Sequence, residues 1–256
     1  MHNDNKCSKV KAIFFDLGGV VLPSPIVKLQ NIATEKGLPK DFINYIISSW
    51  GDDGPFQRFE RGEIQEAVFL EKFDKHLNSM KWRSIYLSSH GPVLTSDSKD
   101  KILNVKLNAK AIYQEICSVT DTIDPNMEFA LKRLKEHKAL KVFALTNDFE
   151  SLISEKSPCL GLFDDVIHSH KIGMRKPEAQ IFHYACQLAN VEFHEAAFLD
   201  DIGSNVKAAR KLGINTILVR PNNISGAISE LEALVKVDLS LSKGNHVLTR
   251  NIKSRL

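Results

Sequence analysis

A repeating alternation constrains this chain more than any single motif: short apolar runs, each stopping at a carboxylate or a hydroxyl, alternate with amphipathic helical stretches. The first run is Lys11-Ala-Ile-Phe-Phe-Asp16, followed by Gly18-Gly19. Its length, its aromatic content and the glycines behind it predict a buried strand that ends in a turn. Lys141-Val-Phe-Ala-Leu-Thr146 and Ala196-Ala-Phe-Leu-Asp200 read the same way, Thr216-Ile-Leu-Val219 follows, and Val166-Ile167 is a shorter candidate. Residues 126–137, 179–189, 204–212 and 224–237 carry apolar side chains at helical spacing. Ser204 is expected to cap the third of these helices and Gly213 to stop it. The alternation predicts an α/β fold whose parallel sheet is covered on both faces.

Residues 23–122 break the rhythm. They hold helical stretches at 40–48, 63–77 and 98–117, with no buried strand, and are bracketed by Pro23-Ser-Pro25 and Asp121-Thr-Ile-Asp-Pro125. The expected organisation is a core of residues 1–22 and 123–239, a helical cap of residues 23–122 inserted after the first strand, and a flexible tail of residues 240–256. Trp50, Phe56, Phe59 and Trp82 either line an apolar substrate pocket or fill the interior of that cap, and they are assigned to the interior.

Composition narrows the partners. The net charge is +3, from 34 Lys and Arg against 31 Asp and Glu, and it is spread along the chain. It leaves no electrostatic footprint for nucleic acid. No apolar run is long enough to span a bilayer. Cys7, Cys117, Cys159 and Cys186 lie far apart without metal-ligand spacing and read as reduced thiols. His168 and His170 alternate near a predicted strand end and read as surface or packing residues. The terminal Ser254-Arg255-Leu256 is a conservative variant of the Ser-Lys-Leu address. It predicts a peroxisomal import receptor as partner and a peroxisomal location, cytoplasmic otherwise.

Ligands of an open parallel sheet sit beyond the carboxyl ends of its strands. Asp16, Thr146 and the pair Asp200-Asp201 are each predicted at such an end, so they can converge from distant parts of the chain. A carboxylate attacking a phosphoryl group sets anion against anion, and a hard cation is needed between them. Mg²⁺ takes oxygen ligands and is held by one or two carboxylates plus phosphate and water. Asp16 with Asp200 or Asp201 supplies those carboxylates; two adjacent acids would also repel each other without a cation. Thr146 offers a hydroxyl, and the turn at Asn147 offers backbone N–H donors for phosphate. Lys176, in Gly173-Met-Arg-Lys-Pro177, supplies positive charge. Asn205 either hydrogen-bonds an acid or faces solvent.

Asp16-Leu-Gly-Gly-Val-Val, Leu145-Thr146-Asn147, Lys176-Pro177 and Phe198-Leu-Asp-Asp-Ile-Gly-Ser-Asn205 resemble, in this order, the four motifs of the haloacid dehalogenase-like (HAD) hydrolase superfamily. The likeness is strongest to the N-terminal phosphatase domain of soluble epoxide hydrolases and to the related domain of acyl-CoA dehydrogenase-family proteins. It implies a Rossmann-like core with a helical, C1-type cap, and Mg²⁺-dependent hydrolysis of phosphate monoesters through an aspartyl-phosphate on Asp16. In this scheme Asp16, Thr146 and Lys176 are catalytic, Thr146, Asn147 and Lys176 hold phosphate, and Asp16, Gly18, Asp200 and Asp201 hold the metal. The implied substrate is a phosphorylated small molecule or a lipid phosphate.

One position departs from the pattern. Phosphatases of this superfamily carry a second Asp two residues after the nucleophile, where this chain has Gly18. The Gly18 carbonyl still suits a metal, but the acid–base group is gone, and such help is worth roughly 10²–10⁴-fold. Asp148, Asp52, Asp53 and His90 are candidate replacements. The alternative reading is a catalytically impaired phosphate-ligand binding or regulatory protein; a metal-free dehalogenase ranks below both.

Overall fold

Successive side chains of a buried strand point to opposite faces of the sheet, and here each face is closed by its own pair of helices. The computed structural model describes residues 10–118, 122–154 and 157–241. The terminal Ser254-Arg255-Leu256, Cys7 and Asp121 lie outside them. Five parallel strands, β1 (Ala12–Phe15), β2 (Lys141–Thr146), β3 (Asp165–His168), β4 (Ala196–Asp200) and β5 (Asn215–Leu218), form one sheet in the order β3-β2-β1-β4-β5. Phe15 pairs with both Ala144 and Leu199, which sets the carboxyl ends of the three central strands side by side. The chain runs outward from β1 to β3, then returns to the other side of β1. Asp16 stands at that reversal, where such sheets bind ligands.

After β1 the chain enters an insert of seven helices: α1 (Pro25–Glu35), α2 (Phe42–Ser48), α3 (Pro55–Glu60), α4 (Glu66–Leu77), α5 (Met80–His90), α6 (Ser96–Asn104) and α7 (Ala109–Cys117). It re-enters the core through α8 (Pro125–Glu136). The remaining α-helices among the described residues are α9 (Ser169–Ile172), α10 (Ala179–Ala189), α11 (Gly203–Lys211) and α12 (Ile224–Val235). On one face Ile13, Phe15, Val142, Ala144 and Leu199 pack against Leu131 and Leu134 of α8 and Ile228 and Leu231 of α12. On the other, Phe14, Phe143, Leu145 and Phe198 pack against Ile181, Phe182 and Ala185 of α10 and Ala209 of α11. Truncating one of these buried leucines to Ala removes about 2–5 kcal/mol.

The insert has its own apolar interior, centred on Phe42, Ile46, Phe69, Phe73, Tyr86 and Ile112. Phe149, from the loop after β2, enters it and stacks on Phe59 at 4.7 Å. Helices α1, α3 and α5 are additions to the sequence reading. The stretch expected at 98–117 is two helices, because the Asn108 side chain caps α7 by accepting from Ala111 N. The cap expected at Ser204 is corrected: α11 begins at Gly203, with Ile202 at the capping position and no side-chain cap bond. There the turn is organised from outside, since Asp200 Oδ1 accepts from Ile202 N at 2.7 Å. Gly213, at φ +94°, ends that helix as expected. No helix among the described residues is long and apolar enough to cross a membrane.

Candidate active site

Asp16 follows β1 directly, with its backbone N–H bonded to Leu199 O of β4 at 2.8 Å. Its Oδ1 accepts from Leu17 N at 2.7 Å and from Lys176 Nζ at 2.9 Å. Lys176 is wholly buried, and its ammonium also reaches Asp200 Oδ2 at 2.8 Å and Leu145 O at 2.7 Å. Its loop is fixed by Asn147, whose side-chain amide donates to Lys176 O and whose Oδ1 accepts from Lys176 N, both at 2.8 Å. The residue after the β2 threonine thus positions the lysine, and what it offers a ligand is its backbone.

The two acids after β4 differ. Asp200 is fully buried and spent: Lys176, both contacts of the Asn205 amide (3.1 and 3.0 Å) and Ile202 N occupy its oxygens. This settles Asn205, which bonds an acid. Asp201 is held more lightly: its Oδ2 accepts a 3.2 Å hydrogen bond from Ser24, at the start of α1. Gly19, at φ +82°, lies so close that a Cβ there would fall 2.0 Å from Asp201 Oδ2, so only glycine fits. The turn 17–22 bonds through Leu17 O and Leu22 O and leaves the Gly18 carbonyl out of its ladder.

Carboxylate oxygens of Asp16, Asp200 and Asp201 lie within 4.8 Å of one another. One buried ammonium bonds two of these three carboxylates, so carboxylates outnumber the cation at the site. Burial pushes Asp16 well above the usual carboxylate range against the pull of Lys176, and the two neighbouring acids add to the rise. Burial, followed by Asp200, raises Asp201 to about 6. Burial would lower Lys176, but Asp16 and Asp200 more than offset it and the group stays protonated. Three carboxylates so close together form an all-oxygen donor set of the kind that suits a hard cation such as Mg²⁺.

Asp16, Gly18, Thr146, Asn147, Lys176 and Asp201 line a cavity of about 580 Å³ whose opposite wall comes from the insert. Asp200 stands behind this wall. Pro25, Ile26, Leu29, Tyr45, Phe56 and Ile116 supply its apolar side. Of the aromatics assigned to the insert's interior, Phe56 is the one that reaches the cavity; Trp50 packs on Phe73 and His76, and Trp82 lies by His76. Of the candidate replacement acids, Asp52 lines the cavity, whereas His90 stacks on Tyr86 and Asp148 is taken by two histidines. Asp53 is exposed and lies away from the cavity wall.

Sequence reasoning missed Glu60 and Arg175, a cavity-lining pair joined at 2.7 Å across the insert and core. Burial raises Glu60 despite Arg175. Nothing in the spacing of Glu60 placed it against the strand ends. It missed Pro25 as well. A Cβ on Gly18 would lie 2.9 Å from Pro25 Cδ, so the ring fills the space a side chain at position 18 would enter.

Together the parallel sheet, the carboxylates at its switch point and the buried lysine define a hydrolase with a helical insert over its site. Residues 10–213 match the haloacid dehalogenase-like hydrolase family, and the chain belongs to it. It is 34% identical over 238 residues to mouse (Mus musculus) acyl-CoA dehydrogenase family member 10, covering 92% of this chain and 20% of that protein. It is 28% identical over 238 residues to pig (Sus scrofa) bifunctional epoxide hydrolase 2, covering 90% and 40%. The chain thus spans less than half the length of either relative. Sesquiterpene phosphatase astK of Aspergillus oryzae is 25% identical over 215 residues, covering 81% and 89%. Among solved structures, a HAD-like hydrolase from Porphyromonas gingivalis superposes with a TM-score of 0.54 at 20% identity, covering 87% and 97%. That likeness speaks for the fold alone.

Proposed function

We propose that this protein hydrolyses phosphate monoesters with Mg²⁺, through an aspartyl-phosphate on Asp16. The observation that carries the reading is the surplus of carboxylate around a single buried lysine, facing a cavity with one polar and one apolar wall. Asp16, Asp201 and the Gly18 carbonyl would hold the ion, with Asp200 behind them holding Lys176. When bound, the ion neutralises charge on the phosphoryl oxygens. Asp16 Oδ1 is held by Leu17 and Lys176, which leaves Oδ2 to attack phosphorus. The P–O bond to the alcohol breaks as the Asp16–P bond forms. Water then cleaves the acyl phosphate, giving inorganic phosphate and the free carboxylate. Thr146 and the backbone after it bind the remaining phosphoryl oxygens.

The leaving alcohol needs a proton, and Gly18 cannot supply one. We assign that role to Glu60, which lines the cavity beside Arg175 and whose carboxyl burial raises against the pull of that guanidinium. The apolar wall favours a phosphate on an aliphatic or isoprenoid-like body, in keeping with the sesquiterpene phosphatase among the relatives. The packing of Pro25 against Gly18 supports a second reading, a phosphate-ligand binding protein without turnover. Assay of p-nitrophenyl phosphate and an isoprenoid monophosphate, with Mg²⁺ and with EDTA, separates them. The proposal expects Mg²⁺-dependent release of phosphate that Asp16→Asn abolishes; Mg²⁺-dependent binding with no release would establish the second reading instead.

A further inference from the structure

His168 and His170, read from the sequence as surface or packing residues, converge on one buried carboxylate. Asp148 has a side chain only 1% exposed; His168 Nδ1 lies 2.6 Å from its Oδ2 and His170 Nδ1 lies 2.8 Å from its Oδ1. The sheet register brings them together: Thr146 pairs with His168 across β2 and β3, so Asp148, two residues further on, meets the start of α9. Ser169 between the histidines turns the other way. Its Oγ accepts from Asp148 N at 2.8 Å and donates to Glu60 O of the insert at 2.7 Å, so the backbone is held on both sides.

We propose that Asp148, His168 and His170 form a second metal site, for a late first-row divalent ion such as Zn²⁺. The ligand atoms of the three residues already lie within 4.8 Å of one another. Zinc bonds of roughly 2.0–2.2 Å to imidazole nitrogen and carboxylate oxygen, arranged tetrahedrally, separate ligands by roughly 3.4 Å. The present hydrogen bonds therefore open by several tenths of an ångström to admit the ion. Two imidazoles select Zn²⁺, Co²⁺, Ni²⁺ or Cu²⁺ over Mg²⁺, whereas the Asp16 site offers only oxygen. Three protein ligands leave a fourth position for water. An ion here ties the loop carrying Thr146 and Asn147 to β3 and, through Ser169, to the insert. The site stands independently of the phosphatase reading.

The test is titration of the full chain with Co²⁺ in saturating Mg²⁺, read by visible absorption, with Zn²⁺ as competitor. One equivalent of Co²⁺ should give bands of tetrahedral intensity that Zn²⁺ removes and that Asp16→Asn leaves unchanged. His168→Gln and His170→Gln should each weaken binding more than about tenfold, since even changes behind a ligand cost about 10–100-fold. Absence of the one-equivalent band, or a band that both histidine variants keep, overturns the proposal and leaves a hydrogen-bonded His–Asp–His cluster. Zinc-edge X-ray absorption of the wild-type protein loaded with one equivalent decides without any variant. Two imidazoles and oxygen are expected; fewer than two imidazoles contradict the site.

Discussion

A buried cation in the core and one in the insert show how differently the two regions use charge. Lys176 faces two carboxylates, Asp16 and Asp200. Arg83, 3% exposed in the insert, donates instead to backbone carbonyls at the end of α6, reaching Ile102 and Leu103 at 2.9 Å and Val105 at 2.6 Å. One group sits at the wall of the cavity among acids; the other closes a helix end whose carbonyls would otherwise lack donors. The core therefore concentrates charge at its strand ends, and the insert contributes apolar wall, a proline and one buried acid.

Substituting these two cations should break the comparison most sharply. Lys176→Met leaves two buried carboxylates unpaired; a loss of about 3–5 kcal/mol is expected. Turnover should fall by about 10²–10³-fold in the protein that remains folded. Arg83→Met should cost about 1–3 kcal/mol through unsatisfied carbonyls, with kcat unchanged. Urea unfolding with phosphatase assay measures both, and a loss of kcat in Arg83→Met would blur the division between the regions.

The next effect concerns the contact between Gly18 and Pro25. Gly18→Asp alone should gain little, because the new Cβ meets the Pro25 ring. Gly18→Asp with Pro25→Ala should raise kcat by about 10²-fold. Equal gains from the single and double variants would show that Pro25 is no obstacle. Glu60→Gln should lower kcat for an alkyl phosphate by about 10²-fold and for p-nitrophenyl phosphate far less, since the nitrophenolate needs no proton to leave. Equal losses on both substrates would place Glu60 in structure rather than in proton transfer.

The smallest expected effect is one of pH. Asp201 rises from 3.8 to about 6 without metal. The folded state then binds the proton more tightly than the unfolded chain. Its contribution to stability is fullest below the unfolded value and is lost as pH rises through the folded one. Mg²⁺ binds the ionised carboxylate, so its gain in melting temperature should be larger at about pH 7.5 than at about pH 5. The opposite order would remove Asp201 from the ion's ligands.

Much of this was legible in the sequence because strands announce themselves locally. Ala196–Asp200 and Lys141–Thr146 are apolar runs with a polar stop, and parallel strand ends have only one side on which to gather. Asp16, Thr146 and Asp201 followed from that, and Lys176 from the Gly173-Met-Arg-Lys-Pro177 stretch. The insert was less legible, because helix packing depends on which faces meet. Helices α1, α3 and α5 lie outside the stretches read from the sequence, and so does Glu60, whose partner Arg175 is 115 residues away. Pro25 read as a hinge residue, whereas its ring is packed against the turn that follows Asp16.

The account rests on one divalent ion among remote carboxylates. Diffraction from crystals grown with Mn²⁺ and inorganic phosphate, recorded at the manganese edge, tests it directly. The prediction is an anomalous peak bonded to Asp16, Asp201 and the Gly18 carbonyl, with phosphate beside Thr146 and Lys176. An empty site with these carboxylates intact, or an ion bound without Asp16, would contradict it.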